Sequence, residues 1–140
     1  MFQPSRDDVR AFFRETWRKR RSLAPLTPLE TVAADWIDRH PEFEAVLGSD
    51  EPTDSAAGSP YLHLSLHLAL AEQLSIDQPP GIRALFERLV ARSGDEHAAA
   101  HAAMECLAQL VWDVQNASAP SEAGAINERY LDCLRRRLGP

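Results

Sequence analysis

The chain is poor in lysine, cysteine and long apolar runs. Of its 15 cationic residues only Lys19 is lysine, an arginine bias that reflects genome composition rather than chemistry. Aspartate and glutamate outnumber the cations, and the net charge is −6. An acidic surface of this kind argues against generic affinity for nucleic acid or anionic lipid, though it leaves room for a local basic patch. The two cysteines, Cys106 and Cys133, are too few for a disulfide framework. Each lies in an apolar helical pattern, so both are read as small buried thiols in a reducing compartment. No apolar stretch approaches the ~18 residues that span a bilayer, and MFQPSRDDVR carries no apolar core of a signal peptide. The expected location is the cytoplasm, with no membrane association. Glycine-rich phosphate loops, a nucleophile elbow, CxxC and HExxH are all missing. What remains is an ordinary globular composition, 44% hydrophobic, in 140 residues. That length suits one domain, residues 1–140, with a core of its own.

The patterning is helical almost throughout. Ser5 opens a first helix, with Asp7 and Asp8 where the helix dipole favours negative charge. Val9, Phe12, Phe13 and Trp17 form its apolar stripe, and Arg18–Arg21 close it. Thr27-Pro28-Leu29-Glu30 is a capping box with proline at the first helical position. The expected buried face there is Leu29, Val32, Ala33, Trp36 and Ile37. His40-Pro41 ends that helix, and His40 is read as a lone structural or exposed histidine. A short segment with Phe43, Val46 and Leu47 follows, then a polar loop, 49–59, expected to be mobile.

From Leu62 to Leu70 leucine occupies every second position, which is a strand pattern. Helix is nevertheless expected. Leucine and alanine favour it, the segment continues through Ala71-Glu72-Gln73-Leu74, and no other stretch offers a pairing strand. Asp77-Gln78-Pro79-Pro80-Gly81 must stop this helix. Ile82, Leu85, Phe86, Leu89 and Val90 mark the next one, capped by Gly94. Asp95 opens a helix to about Gln115, with the stripe Met104, Leu107, Ala108, Val111 and Trp112. Ile126, Tyr130, Cys133 and Leu134 mark the last, which ends in Arg135–Arg137. The expected fold is all-α: a single-domain bundle of five to seven helices, with Leu62–Leu74 near its centre.

The one constellation with chemical content is histidine. His63 and His67, and again His97 and His101, are spaced i, i+4, so each pair shares a helix face. Both pairs continue core stripes, where an imidazole must be hydrogen-bonded or coordinated. If the helices carrying them run parallel, the pairs lie at the same end of the bundle and can offer three or four nitrogens. That donor set suits zinc, or iron, nickel or copper. Glu105 lies about 40° from His101 around the helix, as a carboxylate ligand, a partner to an imidazole, or a general base. Glu72 and Cys106 are off these faces. The plainer reading stands first: HxxxH is a short motif, and paired histidines are satisfied just as well by carbonyls, carboxylates or one another, or they line a pocket that holds no metal.

PYLHLSLHLALAEQLSIDQPPGIR, HAAAHAAMECLAQLVWD and YLDCLRRR, with the opening segments MFQPSRDDVRAFFRETW and TPLETVAADWIDRHPEF, occur in the order found in an uncharacterised family of small proteobacterial proteins. The chain resembles that family, a domain of unknown function, over nearly its whole length. The resemblance implies a bacterial cytoplasmic protein and assigns no catalytic residue. Three functions are therefore expected, in this order. The first is a non-catalytic interaction or regulatory module with a protein partner, contacting it through Arg135–Arg137 and the 49–59 loop. The second is a metal-binding protein, a hydrolase or redox enzyme, using His63, His67, His97, His101 and Glu105. The third is a nucleic-acid partner acting through Arg18–Arg21 and Arg135–Arg137, which the acidic balance opposes. The sequence does not decide whether the protein is an enzyme.

Overall fold

The structure, a computed structural model, describes residues 6–48, 60–116 and 122–139. These residues form seven α-helices and no strand: α1 (Arg6–Ser22), α2 (Pro28–Asp38), α3 (Glu44–Leu47), α4 (Pro60–Ile76), α5 (Ile82–Ser93), α6 (Glu96–Gln115) and α7 (Ala123–Leu138), with a 3-10 turn at Pro41–Phe43 before α3. The all-α expectation holds, and the alternating leucines of α4 are helical. The 49–59 loop lies outside the described residues. The chain divides into two compact units, Met1–Leu68 and Ala69–Pro140, with the boundary inside α4.

In the first unit, Phe13 of α1, Ala33 and Ile37 of α2, Leu47 of α3, and Tyr61 and Leu64 of α4 are buried together. Val9, Phe12, Trp17 and Trp36 pack against them, half-buried. Asp7 and Asp8 at the start of α1 and Lys19–Arg21 at its end complement the dipole. The capping box at α2 forms in full. The Glu30 amide donates to Thr27 Oγ1 at 3.1 Å, and the Thr27 amide donates to Glu30 Oε1 at 2.9 Å.

The buried face of α2 is rotated from the expected one. Glu30, Ala33, Ala34 and Ile37 face inward, while Leu29 is 56% and Val32 37% exposed. The carboxylate of Glu30 explains the rotation. Held by the Thr27 amide and by Lys19 Nζ at 3.0 Å, it can be buried as a bonded group. A stripe at 30, 33, 34 and 37 then has ideal helical spacing.

In the second unit α5, α6 and α7 pack pairwise on one another. Ile82, Leu85, Leu89, Ala99, Ala100, Ala103, Met104, Leu107, Tyr130, Leu131 and Leu134 are buried. The Asp77 carboxylate accepts from the Arg83 amide at 3.0 Å, and the Arg83 guanidinium donates to the carbonyls of Leu74 and Ser75, both at 3.0 Å. Those two carbonyls end α4 and have no further helical donor. The Tyr130 hydroxyl donates to Gln73 Oε1 at 2.7 Å.

Two sequence readings are corrected in this unit. Cys106 and Cys133 are not free thiols. They sit on the packed helices α6 and α7, with Cα atoms 5.8 Å apart, and are joined as a disulfide. The buried stripe of α6 also ends early. Its buried positions run from Ala99 to Leu107, whereas Val111 is 43% and Trp112 58% exposed.

The cap at α2 yields a test. Thr27→Ala is expected to cost about 1 kcal/mol of stability, as loss of an N-cap hydroxyl does, measured by urea denaturation at neutral pH. Hydrogen bonding from the Thr27 amide and then from Lys19 holds the Glu30 carboxyl below its ordinary value of 4.5. A depressed carboxyl stabilises the fold above the unfolded-chain value, and that contribution is lost as pH falls through the folded one. The wild type is therefore expected to exceed Glu30→Gln in stability at neutral pH. The gap should begin to close near the ordinary glutamate range and vanish in stronger acid. A gap that does not vary with pH would contradict this assignment.

Candidate metal centre

The ends of α2 and α4 bring three histidines together in the first unit. At the end of α2, Pro41 has no N–H to donate to Ile37. The His40 amide takes that carbonyl instead, at 3.0 Å. It thereby leaves the Trp36 carbonyl, which would ordinarily receive it. The imidazole of His40 folds back to fill the place, with Nδ1 2.6 Å from Trp36 O. A carbonyl only accepts, so Nδ1 carries the proton and a neutral His40 ring has its lone pair on Nε2.

That Nε2 points at His63 of α4, with an Nε2–Nε2 separation of 3.0 Å. Without a metal, His63 Nε2–H donates to it. His67 lies one turn further along α4. It is fully buried and stacked on Trp36, with centroids 3.9 Å apart and planes 21° from parallel. The His40–His63, His40–His67 and His63–His67 ring centroids are each separated by 4.8 Å. One nitrogen of His40 and one of His67 lie within 4.8 Å of each other. Phe43 stacks on the other side of His40, with centroids 5.0 Å apart. The three imidazoles are thus walled by Trp36 and Phe43, and His40 itself is 2% exposed.

His40 is the residue that sequence reasoning missed. A search for i, i+4 histidine pairs cannot find it, because it stands 23 positions before His63. The signal was present in the stripe. Ala33 and Ile37 continue to His40 at helical spacing, which would have placed it inside.

The second unit holds the other pair. Asp95 caps α6 by accepting from the amides of His97 and Ala98. The His97 and His101 rings follow on one face, half-buried, with centroids 4.3 Å apart. A nitrogen from each lies within 4.8 Å of the other's. Glu105, the carboxylate expected to assist them, is exposed and ion-paired with Arg137 at 2.7 Å. Two imidazoles on adjacent turns make a two-nitrogen donor set.

The basic runs are occupied by internal partners. Arg20 pairs with Asp35 and Asp38, Lys19 with Glu30, and Arg21 lies over Trp17. Arg135 pairs with Glu128 and Asp132. No helix among the described residues is long and apolar enough to cross a membrane.

A family model, the domain of unknown function DUF1841, matches residues 5–136. The chain belongs to this family. No curated protein and no solved structure matches it significantly. Membership of the DUF1841 family brings no assigned residue, so the chemistry rests on the imidazoles themselves.

The His40–His63 contact in this DUF1841 domain can be measured directly. A double-mutant cycle with His40→Leu and His63→Leu is expected to give a coupling energy of about 1 kcal/mol, that of one intramolecular hydrogen bond in a metal-free protein. Strictly additive losses in urea denaturation would mean that the two rings are not bonded in solution.

Proposed function

We propose that this DUF1841 protein binds a first-row divalent metal through histidine. His40, His63 and His67 serve as ligands in the first unit, and the His97–His101 pair offers a separate two-nitrogen set within the second. The observation that carries the proposal is the state of His40. Its Nδ1–H donates to the Trp36 carbonyl, and its Nε2, the acceptor nitrogen of that tautomer, lies 3.0 Å from the Nε2 of a second imidazole. Metal-ligating histidines are oriented in this way, the remote nitrogen donating to a carbonyl or carboxylate.

The spacing fits as well. Two nitrogens at the usual zinc distance are about 3.3 Å apart across a tetrahedral edge, close to the 3.0 Å between His40 and His63 Nε2. His63 would offer Nε2 to such an ion as the tautomer protonated on Nδ1. Imidazole donors suit zinc, copper, nickel or iron rather than calcium or magnesium. Three such ligands with a fourth position open would acidify a bound water, the arrangement of hydrolytic metal sites. The internally paired basic runs weigh against the nucleic-acid reading. The exposed Val111, Trp112 and Val114 support an interaction module as the second reading.

The test is metal content by inductively coupled plasma mass spectrometry, on untagged protein purified without chelator. Near-stoichiometric metal is expected, falling at least tenfold in His63→Ala and in His40→Ala/His67→Ala. The His97→Ala/His101→Ala variant is expected to keep the ion held by the first unit. A folded wild type that contains no metal and takes none from zinc, iron, nickel or copper salts overturns the proposal and leaves the interaction module standing.

A further inference from the structure

The second unit carries a separate piece of chemistry, independent of the histidines. A groove of about 460 Å³ runs along α6 and α7, lined by Glu105, Ala108, Gln109, Trp112, Cys133 and Arg137. One half of the disulfide is on its wall and the other is not. Cys133 is half-buried and lines the groove, whereas Cys106 is 1% exposed. Cys133 is therefore the half of the disulfide that a thiolate entering the groove approaches. The rest of the lining says which thiol. Trp112 offers an apolar surface, 58% exposed. Arg137, one turn beyond Cys133 on α7, is held by an exposed bridge to Glu105. Exposed ion pairs contribute little, so a ligand carboxylate can take the guanidinium from Glu105.

We propose that Cys106–Cys133 is an exchangeable disulfide, entered at Cys133 by a small carboxylate-bearing thiol of the glutathione class. The entering thiolate attacks Cys133 Sγ, the new S–S bond forms, the Cys106–Cys133 bond breaks, and its electron pair leaves on Cys106 Sγ. The Cys106 thiolate is then confined to a buried apolar position that raises its free energy, and it attacks Cys133 again to expel the thiol. A second thiol competes by attacking the outer sulfur of the mixed disulfide. That step releases a symmetrical disulfide and leaves Cys106 and Cys133 reduced, two thiols having supplied the two electrons. Groove access thus fixes the order of events: Cys133 is the modified residue and Cys106 the resolving one.

The experiment compares Cys106→Ser and Cys133→Ser, each treated with glutathione disulfide under native conditions and read by intact mass. Cys106→Ser is expected to gain one glutathione at Cys133. Cys133→Ser should remain unmodified until it is unfolded in guanidinium. For recognition by the groove, the rate ratio of glutathione disulfide to uncharged hydroxyethyl disulfide in Cys106→Ser should fall at least threefold when Trp112→Ser and Arg137→Ala are added. If Cys106→Ser does not fold, the wild type is treated with reduced glutathione, quenched in acid and mapped by peptide, and the mixed disulfide should lie on Cys133. Modification at Cys106, no modification of either cysteine in the native protein, or an unchanged rate ratio would overturn the proposal.

Discussion

The first unit depends on where one carbonyl finds its donor. Pro41 removes an N–H from the end of α2, the His40 amide shifts to Ile37, and the Trp36 carbonyl is left to the His40 ring. An intramolecular hydrogen bond of this kind contributes about 1 kcal/mol and holds the ring against the end of α2. The consequences spread outward from that bond. It decides the tautomer of His40 and turns its acceptor nitrogen toward His63 of α4. It keeps Trp36 in place as the surface on which His67 stacks. A helix terminator, ordinarily only punctuation, thus organises three imidazoles.

The same region shows what the sequence could and could not reveal. Helix type and limits were legible because they depend on local chemistry. The capping box at Thr27–Glu30, Gly94 with its positive φ and the Asp95 cap all act within a few residues. The alternating leucines of α4 misled only a period count, since helix propensity and the absence of pairing strands outweighed it. The α2 face was misjudged because glutamate was assumed to stay outside. Lys19, 11 positions away, supplies the charge that lets Glu30 go in. His40 was overlooked for a related reason: its partners lie on another helix, and spacing rules register only neighbours along one.

The cysteines make the same point from the other side. Cys106 and Cys133 each resemble a small core residue in their own helix, and nothing local links them. Their pairing follows from α6 packing on α7 with those two positions opposed, a tertiary fact. The two halves of that bond are also unequally placed: Cys106 is buried, whereas Cys133 is half-buried and lines the groove between α6 and α7.

The disulfide also bears on the metal question by subtraction. With both sulfurs bonded to each other, neither is a thiolate ligand, and Glu105 lies in an exposed ion pair with Arg137. Among the described residues, the group able to hold an ion consists of histidines alone. Neutral imidazoles do not cancel the charge of a divalent ion as thiolates or carboxylates would. An ion held by such a set would keep its full positive field and would act more strongly on whatever occupied an open position. A water bound there would be acidified, as it is at three-histidine zinc sites.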